Sequence, residues 1–112
     1  MGISTHILDT SIGHPAVGIA VTLEREEGEL WIRVNRTITD QDGRCKHLLP
    51  ESQTLKAGRY RVRFDTAAYF TSRQLATLYP FVEITFEVAN PEEHYHIPLL
   101  LTANGYTTYR GS

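Results

Sequence analysis

Within 112 residues, 41% of them hydrophobic, there is room for one packed core, so residues 1–112 are read as a single domain. Eleven basic against 13 acidic side chains leave no positive excess for a phosphate backbone or an anionic bilayer, which argues against nucleic acid and membrane partners. No apolar run approaches the roughly 20 residues that span a bilayer, and a lone cysteine, Cys45, excludes an intrachain disulfide framework and four-cysteine zinc patterns.

The opening residues MGISTHILDT hold neither a basic nor a long apolar stretch, so a cytoplasmic chain is expected. A periplasmic form whose leader had been removed would read the same. Residues 3–10 alternate, with Ile3 and Ile7 on the face opposite His6 and Leu8, and the run stops at Ser11-Ile12-Gly13-His14-Pro15. From Pro15 to Glu24, Val17, Ile19, Val21 and Leu23 alternate with Ala16, Gly18, Ala20 and Thr22, predicting a strand with one core face and one small face. Leu30, Ile32 and Val34 alternate with Trp31, Arg33 and Asn35 in the next strand, and Thr39-Asp40-Gln41-Asp42-Gly43 then forms a tight turn that delivers Arg44. After Ala57-Gly58, Tyr60, Val62 and Phe64 oppose Arg59, Arg61, Arg63 and Asp65, which gives that strand one wet face. Residues 71–79 are the helical candidate, with Thr71 or Ser72 as cap, Leu75 and Leu78 on one side and Pro80 as the stop. Val82–Val88 alternates again, and residues 93–102 and 105–110 form two strands joined at Ala103-Asn104-Gly105. The fold class is therefore all-β: a two-sheet antiparallel sandwich of about eight strands, one of them short, with one short helix.

Five histidines stand out in a small, nearly neutral chain: His6, His14, His47, His94 and His96. Their placement carries more than their number. His94 and His96, two apart on one strand, share a face with Pro98 and Leu100, while Tyr95, Ile97, Leu99 and Leu101 point into the core. That semi-apolar second face suits a subunit or ligand contact, where an imidazole is desolvated and its pKa displaced. The plainer reading of any one of them is a hydrogen-bonded packing residue. Two imidazoles on one strand, with His6 as a third, could also share a metal. No carboxylate or cysteine stands at a telling spacing beside them, so neither a metal nor another cofactor is expected. The sequence has no GxSxG, HExxH, Walker or GxGxxG pattern. The row Arg59, Arg61, Arg63 reads as a solvated surface in preference to an anion site. The end of the chain, Tyr106 to Ser112, lacks the composition of a polar tail and looks like a segment that docks, the plainer reading being an ordinary chain end.

His6-Ile7-Leu8-Asp9-Thr10-Ser11-Ile12-Gly13-His14-Pro15-Ala16 resembles the opening signature of the transthyretin-like proteins, and Tyr95–Leu101 with Gly105-Tyr106-Thr107-Thr108 resembles their closing one. The resemblance covers nearly the whole chain. It departs at Ala103-Asn104, where a proline- or glutamine-led pair is more usual, which bears only on the shape of that hairpin. Within the family, His6 and His96 stand where the hormone carriers have lysine and threonine. Arg44 after the turn and the ending Tyr109-Arg110-Gly111-Ser112 also follow the enzyme branch. The resemblance thus implies a cofactor-free cyclic-amide hydrolase acting on a small molecule, 5-hydroxyisourate, in urate breakdown, the alternative being a small-ligand carrier without catalysis. It implies a homotetramer, a dimer of dimers, with His6, Arg44 and His96 catalytic and with Leu8, Pro98, Tyr109, Arg110, Gly111 and Ser112 binding substrate.

Overall fold

The structure is a computed structural model that describes residues 2–112. Among the described residues, nine strands and one helix follow in the order β1 (Ile3–Asp9), β2 (His14–Pro15), β3 (Ala20–Glu27), β4 (Leu30–Ile38), β5 (Arg44–Cys45), β6 (Gly58–Phe64), α1 (Thr66–Ser72), β7 (Val82–Val88), β8 (Tyr95–Thr102) and β9 (Gly105–Thr108). One sheet runs β2-β1-β8-β9 with β5 also paired to β1, and the other runs β4-β3-β6-β7. Every pairing is antiparallel except β1 with β8, which run parallel with Ser4 opposite His96 and His6 opposite Pro98. The two-sheet sandwich expected from period-two alternation is what forms.

The core lies between the sheets. Ile3 and Ile7 of β1 and Leu99 and Leu101 of β8 meet Val21, Leu23, Tyr60, Val62 and Phe64 of the opposite sheet, all essentially without solvent contact. Burying a side chain of this size stabilises by roughly 1.5–3 kcal/mol before entropy is counted, so this layer fixes the register of β1 and β8. The same alternation that sends Ile3, Thr5, Ile7 and Asp9 inward leaves Ser4, His6 and Leu8 on the outer face.

Three expectations need correcting. The strand predicted for Pro15 to Glu24 is two pieces, because Gly18 takes a left-handed φ of 82° and the segment bends. The Thr39 hydroxyl pins that bend, accepting from the Ile19 amide at 2.9 Å and donating to the Ala16 carbonyl at 2.8 Å, and Val17 is left exposed. The helix is not at 71–79 but at Thr66–Ser72, where Tyr69 and Phe70 supply a buried side, whereas Leu75 and Leu78 are 49% and 68% exposed. Gln74 ends it at φ 61°, with Leu75 N–H bonded to the Phe70 carbonyl and Gln74 N–H to that of Thr71, the hydrogen-bond pattern of a left-handed helix stop. Finally, β9 ends at Thr108 instead of residue 110, and the chain rejoins the sheet only through a bridge between Gly111 and His96.

Candidate active site

The turn at residues 40–43 is built by Asp40, whose carboxylate accepts the amides of Asp42 and Arg44, both at 2.9 Å. These backbone donors, that of Arg44 foremost, hold the Asp40 carboxyl below the usual carboxylate range. Gly43, at φ 73°, passes so close to β1 that an added Cβ would lie 2.5 Å from the Ile7 carbonyl oxygen. Its own carbonyl accepts from Ile7 N–H at 2.8 Å. Only glycine fits there, and the contact delivers Arg44 onto β5 in register with His6.

Three strands thus bring His6, Arg44 and His96 to one outer face. His96 lies on β8 opposite Ser4, and His6 is two residues further along β1, flanked by Arg44 and Pro98. Leu8 and Leu100 continue the same face, opposite each other. A cleft of about 460 Å³ opens here, lined by Arg44, His96 and Ser112 together with Ser4, Lys46 and His94. His6 stands beside it without lining it. Burial is the first cause that holds His96 below the ordinary histidine range, followed by the positive charge of Arg44 and by electrostatic interaction with His6 and His94, while the Ser4 backbone acts in the other direction. The resting imidazole is therefore neutral at neutral pH and able to accept a proton.

The end of the chain docks against this cleft. Gly111 N–H donates to the His96 carbonyl at 2.9 Å, and a Cβ on Gly111 would fall 2.4 Å from Cδ2 of the His96 ring. Here too only glycine fits, and it leaves Ser112 in the cleft. The side chains of Tyr109 and Arg110 do not enter it. Arg110 pairs with Glu93 at 2.8 Å and lies 4.5 Å over the Tyr95 ring, and with Tyr109 it borders a separate depression of about 240 Å³ floored by Phe86, Tyr95 and Ile97.

Ser4 and Lys46 were not singled out in the sequence. Ser4 shares the parity of His6 and was within reach; Lys46 lies beyond β5, where no alternation exists to place it. The remaining candidates fall elsewhere. His14 is exposed on β2, and His47 faces Glu51 at 3.3 Å. Cys45 is buried, and desolvation pushes its thiol up to about 11, far from reactive. Among the described residues, no three His, Cys, Asp or Glu side chains are placed to hold a metal ion. On the other sheet Arg61 pairs with Glu24 at 2.8 Å, Arg59 with Glu87 at 3.2 Å and Arg63 with Asp65 at 3.1 Å, a neutralised surface.

The family model described as HIUase/Transthyretin matches residues 3–111. A 5-hydroxyisourate hydrolase of Salmonella dublin is 47% identical over 110 residues, which cover 98% of this chain and 80% of that protein. The structure of Klebsiella pneumoniae 5-hydroxyisourate hydrolase superposes with a TM-score of 0.88 at 34% identity, covering all of both chains. Sea bream transthyretin in complex with thyroxine superposes equally well, with a TM-score of 0.90 at 33% identity over 99% of this chain and 95% of that one. Backbone shape is thus common to a hydrolase and to a transthyretin in complex with thyroxine, and the side chains on the outer face must decide between the two kinds of activity.

Proposed function

The chain belongs to the HIUase/transthyretin family, and on that footing we propose that it is a cofactor-free hydrolase that opens the cyclic amide of 5-hydroxyisourate. The observation that carries this reading is the shared face: two imidazoles and a guanidinium from β1, β5 and β8, with the chain end closing one side. A carrier needs apolar walls and has no use for a neutral base beside a fixed cation.

Hydrolysis of a cyclic amide needs an activated water, a grip on the heterocycle and a place for the charge that develops on oxygen. His96 and His6 activate and orient the water. As the water oxygen bonds to the amide carbon, an imidazole takes its proton, and when the carbon–nitrogen bond breaks that proton goes to the departing nitrogen. Arg44, permanently charged and planar, holds substrate oxygens and offsets the negative charge of the tetrahedral intermediate. Ser112 adds a hydroxyl at the rim, and Leu8 and Pro98, which do not line the cleft, bound the face on the far side of it around His6. Tyr109 and Arg110 contribute by fastening the tail that carries Gly111 and Ser112.

The assembly we propose is a homotetramer, a dimer of dimers, in which this outer face meets its copy. Its support is the half-buried pair Leu8 and Leu100, opposite each other on the outer face beside the polar cluster.

The test is the decay of freshly generated 5-hydroxyisourate followed by absorbance. The chain should deplete it far faster than spontaneous decay. Binding of 5-hydroxyisourate or an iodinated phenol without accelerated loss would instead support the carrier.

A further inference from the structure

The Ser4 hydroxyl sits between two imidazoles, 2.7 Å from Nδ1 of His96 and 2.8 Å from Nε2 of His94. Nothing in the hydrolytic scheme above uses it. A hydroxyl has one proton to donate, and a neutral imidazole has one N–H and one bare nitrogen, so these three groups constrain one another. With Ser4 donating to His94, it remains an acceptor for His96, whose Nδ1 must then carry the hydrogen and whose Nε2 keeps its lone pair. With Ser4 donating to His96, the hydrogen of that ring moves to Nε2 and the lone pair a base needs is lost.

The surroundings of the ring favour the first order. Nδ1 is the nitrogen that faces β1, held 2.7 Å from the Ser4 hydroxyl. Nε2, whose neighbour Cδ2 lies beside Gly111, has no hydrogen-bond partner among the described residues and is the nitrogen left for a water. We propose that Ser4, oriented by the exposed His94, is a positioning residue that accepts Nδ1–H of His96 and thereby presents the Nε2 lone pair of His96 to the attacking water. The in-register parallel pairing of Ser4 with His96 between two central strands holds the hydroxyl in place. This inference rests on the hydrolytic reading and assigns the working nitrogen within it.

The test combines kinetics on 5-hydroxyisourate with 15N NMR of the His96 ring above pH 7 in the ligand-free protein. Wild-type His96 should be in the Nδ1–H form. Ser4→Ala should lower kcat by on the order of tenfold to a hundredfold, by analogy with the loss of a hydrogen-bond partner that orients a metal-bound histidine, with KM nearly unchanged and the ring nitrogens averaged between tautomers. Ser4→Thr, which keeps the hydroxyl on the same carbon, should restore both readouts, and His94→Ala should shift them in the direction of Ser4→Ala by less. An Nε2–H His96 in an active wild type, wild-type kcat in Ser4→Ala, or equal losses in the alanine and threonine variants would each overturn the positioning role alone. A wild type without turnover would defeat the hydrolytic reading itself and this role with it. Should Ser4→Ala fail to fold, the wild-type tautomer and the exposed-site variant His94→Ala decide.

Discussion

A side chain that is to take a proton from water must be without one beforehand, and the surroundings of His96 secure that. Burial and the neighbouring Arg44 disfavour its cation, so its folded pKa lies below the ordinary value. The acidic limb of kcat/KM should accordingly have its midpoint below about 6.5, with activity rising through it and then level; a midpoint above that value would contradict the assignment. The same shift has a stability consequence of known sign. The unfolded chain binds this proton more readily than the folded one, so this group's contribution to stability falls as pH drops below about 6.5 and stops changing below the folded pKa. Gly111 gives a second prediction. Gly111→Ala forces a methyl against the His96 ring, and turnover should fall at least tenfold, by analogy with other positioning contacts, while the melting temperature barely moves. An alanine variant with full activity would show that the tail does not seat the ring.

What the sequence reveals at this scale depends on strand parity. His6, Arg44 and His96 were legible because β1 and β8 alternate cleanly and a Gly43 turn fixes where β5 begins. Arg110 was not, because β9 stops at Thr108 and parity no longer says which way its side chain points. The pull of Glu93 and Tyr95 decides instead.

Among the elements, α1 shows how a local signal is overridden. Leu75, Leu78 and Pro80 read as an amphipathic turn with a stop, yet no core surface lies under them. Thr66–Ser72 has Tyr69 and Phe70 to bury and follows β6 after a single residue, so the alternation of Tyr60, Val62 and Phe64 runs straight into it and hides its start. Asp65 gives no capping bond to announce that start, being engaged with Arg36 and Arg63. The left-handed stop at Gln74 is costly for a side chain, and Gln74→Gly should raise stability by about 0.5–1 kcal/mol, read as a higher urea midpoint with an unchanged slope. The helix is tied to β1 by the Tyr69 hydroxyl, which donates to the buried Asp9 carboxylate at 2.8 Å. Desolvation first, and then that partner, push the tyrosine up to about 12. Tyr69→Phe leaves the carboxylate one donor short, and a loss of about 1–3 kcal/mol in chemical denaturation is expected.

For the molecule as a whole, one sandwich backbone is shared by a protein named as a 5-hydroxyisourate hydrolase and by a transthyretin in complex with thyroxine, so the scaffold does not choose the activity. The choice lies in which groups the outer face carries. Fold class was legible from alternation alone; the parallel pairing of β1 with β8, which sets Ser4 against His96, was not, because local pattern is blind to the direction of a distant partner. The proposed tetramer predicts a solution mass four times the 12.7 kDa of the chain in sedimentation, with a monomer as the contrary result.

The claim on which the rest depends is that the cluster around His96 performs hydrolysis. His96→Asn keeps a polar side chain of similar reach and removes the base. In the 5-hydroxyisourate decay assay it should lose at least about a hundredfold in turnover, the lower end of what general acid–base catalysis contributes, with the same sedimentation and melting behaviour as the wild type. Wild-type turnover in that variant would remove His96 from the chemistry and the account with it.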